Sequence, residues 1–242
     1  QEYSALHIAC KYGHVEIVDI LIEYGADVRS RNKYTKYTPL HIACFHKQLK
    51  VAERLIEVDK DHVHMDDREK YILLHYAAEF NDLPMMKLLM TIGSDSNCSP
   101  NSHLHTPLTM AAIEGRTSIV QALLDAGADM NKEEWCDQSP YGGINSALYK
   151  TCCAGHADVA KLLINRGASL DGTNRNGQNL LHTILDNFDT FHDEETLHEI
   201  IRLLVEKTEG FLVGGKDCGG RTPLHAASCA SGTAQAIPYL ID

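Results

Sequence analysis

The chain has 242 residues, 44% hydrophobic and 23% charged, and a formal net charge of −11 from 22 Lys+Arg against 33 Asp+Glu. That length supports a core without staples and the composition excludes disorder. No apolar run reaches the ~18 residues of a membrane span, so direct membrane insertion is not expected. The negative balance also argues against a nucleic-acid partner. Eight cysteines without a C-x-x-C pair read as thiols of a reducing, cytoplasmic environment. Gln1 leads straight into a structural motif without a leader pattern, so the chain reads as a piece of something longer.

In chain order, Ser4-Ala5-Leu6-His7 recurs as Thr38-Pro39-Leu40-His41, Ile72-Leu73-Leu74-His75, Thr106-Pro107-Leu108-Thr109, Ser146-Ala147-Leu148-Tyr149, Asn179-Leu180-Leu181-His182 and Thr222-Pro223-Leu224-His225, with leucine spacings of 34, 34, 34, 40, 33 and 43. A fixed period changes the meaning of every other residue. The units run approximately 1–35, 36–69, 70–103, 104–143, 144–176, 177–219 and 220–242. In the signature, Ser or Thr can cap a first helix, Pro fits its first turn, and the His can hydrogen-bond to a neighbouring unit. A second apolar pattern follows, as at Ile17, Val18, Leu21 and Ile22, with one-face helical spacing. Gly25, Gly93, Gly127, Gly167 and Gly210 then close the second helices. Insertions at about 132–143, containing Trp135, and 186–195 break the period. Unit one lacks a polar outer cap, and Pro238 falls inside the second helical stretch of unit seven.

These motifs, with Gly13-His14 and Gly155-His156 between helices and Gly127-Ala128-Asp129-Met130-Asn131 at an exit, resemble the ankyrin repeat family across nearly the whole chain. The resemblance implies one all-α solenoid domain of stacked helix-turn-helix units with β-hairpin fingers. Its fingers and first helices form a concave variable surface, and its second helices form the convex back. It also implies asparagine hydroxylation at Asn97 and Asn131.

Apparent chemistry dissolves on this reading. Seven of the fourteen histidines belong to the repeat signature, and neither His62-x-His64 nor Cys98 with His103 and His105 supplies four ligands at a zinc spacing. Gly215 to Thr222 nearly spells a phosphate-binding loop, but Arg221 stands where Lys is required. Asp217 to His225 instead matches the repeat without departure. Asp186, Asp189 and Asp193 lack a calcium-loop spacing. Cys10, Cys44 and Cys152 share one helix position, which argues packing. No catalytic residue, metal or cofactor is expected, and the chain is not read as an enzyme.

The variable positions carry the remaining signal. On the first helices they are Lys11 and Tyr12, Phe45 and His46, Glu79 and Phe80, and Ile113 and Glu114. In the fingers they are Tyr34, Thr35 and Tyr37, then Arg68, Glu69 and Tyr71, then His103 and His105, with Trp135 in the insertion. An exposed row of Tyr, Phe and Arg has the composition of a binding hot spot, with finger-to-helix packing as the competing explanation. The expected function is a non-catalytic module, cytoplasmic or on the cytosolic face of a membrane protein, that binds a protein or peptide along that surface or contacts other domains of its parent chain. The alternative is a structural spacer within a longer solenoid.

Overall fold

The first helix begins where Ser4, in extended conformation, accepts a hydrogen bond from the His7 backbone N–H at 3.4 Å, while the His7 ring returns a bond to the Ser4 backbone. Three later starts have similar physics. Thr38, Thr106 and Ser146 cap the following helices through their hydroxyls, and Pro39 and Pro107 take the first helical position, where a missing N–H costs nothing. The computed structural model describes residues 3–59, 67–97, 105–132, 146–186, 194–229 and 236–241, the side chains of 67–72 and 194 excepted.

The first helices of successive units are α1 (Ala5–Tyr12), α3 (Pro39–Phe45), α5 (Asp67–Glu79), α7 (Pro107–Ile113), α9 (Ala147–Cys153), α11 (Leu180–Asp186) and α13 (Pro223–Cys229). The second helices are α2 (Val15–Glu23), α4 (Leu49–Val58), α6 (Leu83–Thr91), α8 (Thr117–Asp125), α10 (Ala157–Asn165) and α12 (Glu194–Lys207). A 3-10 turn, Ile237–Leu240, stands where unit seven was expected to carry a second helix; Pro238 supplies no N–H to the helical ladder. Each first helix packs on the next, and the second helices form a parallel row behind them. Gly25 and Gly127 end their helices at φ +83° and +86° with open space around the missing Cβ, so conformation and not crowding requires glycine there.

The core is a ladder of the repeated leucines. Leu6, Leu74, Leu108, Leu148 and Leu181 are no more than 1% exposed, and Met85, Ile119, Leu123 and Leu163 back them from the second helices. Each buried leucine contributes roughly 2 kcal/mol of transfer free energy. Histidine stitches the units. The Nδ1 atoms of His7 and His182 accept backbone N–H bonds from Ser4 and Asn179, so Nε2 carries the proton. Nε2 then donates to the next unit: His7 to the Tyr37 carbonyl at 3.0 Å, and His182 to the Arg221 carbonyl at 2.9 Å. His75 Nε2 reaches the His105 carbonyl in the same way, at 2.7 Å.

Two expectations need correction. Among the described residues the fingers are turns, not β-hairpins, with one isolated bridge from Thr173 to Asn179. Asx contacts, such as Asn32 Oδ1 accepting from the Thr35 N–H at 2.8 Å, satisfy backbone groups that a strand ladder would otherwise pair. In addition, Arg68, Glu69 and Tyr71 belong to helix α5 and not to a finger. Unit three has Ile72 and Leu73 where others have Thr and Pro, so no cap or ring stops the helix from extending toward Asp67.

Cys10, Cys44 and Cys152 are at most 2% exposed at equivalent positions. Burial pushes the Cys10 thiol up to about 12 and raises Cys44 and Cys152 as well. At pH 8, iodoacetamide should therefore modify the exposed Cys218 and Cys229 and leave these three intact, as peptide mapping would read. The folded state favours the neutral thiols, so their contribution is complete below the ordinary thiol value of 9.0 and declines as pH rises toward the folded-state values. The urea midpoint should accordingly fall between pH 8 and pH 11.

Candidate functional site

The exposed side of the first-helix row carries a connected set of rings. The Phe45 ring meets Tyr76 edge-on at 5.2 Å and Phe80 at 5.4 Å, while Tyr76 and Phe80 lie stacked at 6.1 Å. Tyr37 stacks on His41 at 5.5 Å and meets Tyr76 edge-on at 6.1 Å, and the two tyrosine hydroxyls hydrogen-bond. Such ring pairs contribute about 0.5–1.5 kcal/mol each beyond area burial. They hold one another in place while Phe45 remains 41% exposed. Burial, followed by the bond with Tyr37, raises the Tyr76 phenol, so Tyr76 stays neutral and able to donate.

Tyr76 is the hub that the variable-position reading omitted. It occupies the residue after the motif His, where other units have Ile8, Ile42 and Met110. An aromatic residue occurs at that position in this unit and in none of the other six, which was the available signal. Lys47 was also missed. Its ammonium lies 5.6 Å from the Phe80 ring centre and donates to the Phe80 carbonyl at 2.8 Å. It stands at φ +56°, where units one and four have Gly13 and Gly115.

At the unit-one end, Tyr12 is 60% exposed, with the Lys11 ammonium 5.5 Å from its ring centre. Tyr3, Ile8, Lys11, Tyr12, Ile42 and His46 line a cleft of about 350 Å³. Desolvation, then the nearby Lys11 charge, holds His46 below its ordinary value. Tyr34 is exposed on the first finger. Glu79 is exposed and forms no ion pair with another described residue, whereas Glu114 lies 3.8 Å from Arg116. Ile113 and His105 are half-buried, and their carbonyls accept from His156 and His75. Phe45 and Phe80 are therefore ring neighbours, Tyr12 lines the adjoining cleft with His46, and Ile113 and His105 contribute backbone contacts between units. The side chains of Arg68 and Tyr71, and all of His103 and Trp135, lie outside the described residues.

A second cleft, about 540 Å³, lies on the second-helix side between α12 and the 3-10 turn. Its wall holds the pairs Lys161 with Glu199 and Arg202 with Glu206. Exposed pairs of this kind contribute little binding or stability. No group of three or more metal-ligating side chains occurs among the described residues, and no described helix is long and apolar enough to cross a membrane.

Comparison with known proteins decides the lineage. A model of three consecutive ankyrin repeats matches residues 1–66 and 59–134, and a single-repeat model matches 145–175. The chain belongs to the ankyrin repeat family. It is similar to rat ankyrin repeat and SAM domain-containing protein 6, at 33% identity over 140 residues, which is 57% of this chain and 14% of that protein. It is also similar to the Caenorhabditis elegans E3 ubiquitin-protein ligase hecd-1, at 33% identity over 84 residues, covering 35% of this chain and 3% of that protein. The chain thus spans a small fraction of these relatives. Among solved structures, the human ASB11 ankyrin repeat domain superposes with TM-score 0.75 at 22% identity over 99% of each chain. The ankyrin repeat domain of Bcl-3, a member of the IkappaB family, superposes with TM-score 0.72 at 21% identity, covering 93% of this chain and 94% of that one. These two share the fold.

Membership in the ankyrin family accounts for residues that had suggested other chemistry. The Asp217 carboxylate accepts from the backbone of Gly219 and Arg221, each at 2.8 Å, and from the Arg221 guanidinium at 2.9 Å. The backbone bond from Arg221 is the first cause of its lowered pKa. Arg221 is committed to an ankyrin turn, not to a phosphate. Asn97 and Asn131 act as latches between ankyrin exits. Asn97 Oδ1 accepts from the Asp129 N–H at 2.6 Å, and Asn131 Oδ1 accepts from the Ser169 N–H at 2.8 Å.

Proposed function

We propose that this ankyrin stack is a non-catalytic recognition module in a cytoplasmic setting, and that it holds a protein or peptide segment along the first-helix side of units one to three. The observation that carries this reading is the connected aromatic surface of Phe45, Tyr76 and Phe80, partly open to solvent and fixed by its own ring contacts. Rings already locked in place lose little rotamer entropy when a partner covers them. Tyr12 and Tyr34 contribute exposed anchor area beside this fixed set.

A second reading, a segment of a longer ankyrin solenoid, draws support from the outer side of unit one. Ile17 is 47% exposed, whereas Ile119, its equivalent in unit four, is 0% exposed beneath the neighbouring unit. Ile20, also on α2, is 53% exposed.

One capture experiment separates the two. Interactors retained by the native module should be lost by at least tenfold from the Tyr12→Ala, Tyr34→Ala double variant, whose exposed positions leave the core intact, and from the Tyr12→Ala, Phe45→Ala, Phe80→Ala triple variant. Circular dichroism verifies folding. Undiminished capture by both folded variants, with loss on Ile17→Glu, would contradict the first reading and favour the second.

A further inference from the structure

The proposed surface has a direction in charge. The last-turn residues of the first helices form two rows across units one to four: Lys11, Phe45, Glu79 and Ile113 in one, and Tyr12, His46, Phe80 and Glu114 in the other. The Lys47 ammonium reaches across from unit two and is held at the Phe80 carbonyl and ring of unit three. The first finger, which leads into unit two, carries Lys33 and Lys36, both exposed. The first row starts with a cation, crosses an aromatic centre and reaches a carboxylate at Glu79 before Ile113, and the second starts with a cation-bearing ring and ends at Glu114. A chain of net charge −11 concentrates cations at one end of its aromatic surface. Arg116 partly offsets Glu114, so Glu79 is the principal carboxylate at the far end.

Resting on the function proposed above, we infer that the surface selects an extended peptide of opposite charge order, with an acidic residue over Lys11, apolar side chains over the central rings, and a basic residue at Glu79. The cleft bounded by Tyr3, Ile8, Tyr12 and Ile42 takes an apolar side chain adjoining the acidic residue. The spacing follows from helix packing. Adjacent packed helices lie about 8–10 Å apart, so Lys11 and Glu79, two units apart, are separated by roughly 16–20 Å. An extended chain rises about 3.3 Å per residue, which places the acidic and basic residues about five or six positions apart. The inferred partner is thus an acidic–apolar–basic segment. A uniformly basic one, which the net charge alone would favour, meets like charge at Lys11 and Lys47.

Selection from a random dodecapeptide display library tests both levels. Peptides enriched on the native module and lost on the folded Tyr12→Ala, Tyr34→Ala variant should carry an acidic and a basic residue five or six positions apart around apolar residues. Lys11→Glu should weaken a selected peptide about threefold to tenfold, and exchanging that peptide's acidic residue for Lys should restore binding. Glu79→Lys should do the same for the basic residue. Aromatic-dependent peptides that show no charge order and no response to either reversal would overturn this inference while leaving the proposed surface standing. Selected peptides that bind equally well to the Tyr12→Ala, Tyr34→Ala variant, or no enrichment at all, would overturn both.

Discussion

Truncating Leu108 to Ala is expected to lower the unfolding free energy by about 3–5 kcal/mol. Leu108 is 1% exposed in α7, the middle first helix, where it takes part in the packing of unit four on its neighbours. The substitution removes three buried carbons and leaves a cavity that short, seven-residue α7 and α9 can close only by sliding against each other. Stability in a linear stack is approximately a sum of unit and nearest-neighbour terms, so a defect at the centre weakens the coupling between the two halves. Urea unfolding followed by circular dichroism should show a lower midpoint and a broader or two-step transition. A loss under 1 kcal/mol with a single sharp transition would mean that the leucine ladder does not hold the units together.

The second large effect is expected at His182, which is 1% exposed. Its Nδ1 accepts from the Asn179 backbone at 3.3 Å and its Nε2 donates to the Arg221 carbonyl at 2.9 Å, joining unit six to unit seven. Replacement by Ala leaves the buried Asn179 N–H without its ring partner, removes the bond to unit seven and empties the space of the ring, which should cost about 2–4 kcal/mol. His225 repeats the internal bond to Thr222, at 3.2 Å, but is exposed and sits in the final unit. His225→Ala should therefore change stability by no more than about 0.5 kcal/mol. Equal losses for the two substitutions in urea titrations would contradict an inter-unit role for the motif histidine.

The fold was legible because its determinants repeat. Seven versions of one helix-start motif, and five closing glycines, place the helix pairs without any knowledge of their contacts. Legibility failed where a unit departed from the period. Applying the common register to Arg68 and Tyr71 placed them in a finger, although the missing Thr and Pro let α5 extend over both. The aromatic surface was half visible. Tyr12, Phe45 and Phe80 stood at variable positions, but Tyr76 directly follows the motif His, outside that set, where units one, two and four have Ile8, Ile42 and Met110. Whether Phe45 meets Tyr76 depends on how two helices 31 residues apart in sequence are rotated when stacked, which local periodicity does not encode. The competing expectation, finger packed on helix, also proved partly right: Tyr37 lies against His41 and Tyr76, and is a support for the surface more than an anchor on it.

The central claim is that recognition takes place on the first-helix side. Photo-reactive benzoylphenylalanine introduced singly at positions 12, 45 and 53 measures this most directly, since Tyr12 and Phe45 lie on that side and Glu53 is exposed on α4. With a captured partner or selected peptide, irradiation should give covalent adducts from positions 12 and 45 and none from 53. Adducts from position 53, with none from 12 or 45, would place recognition on the second-helix side and contradict the account.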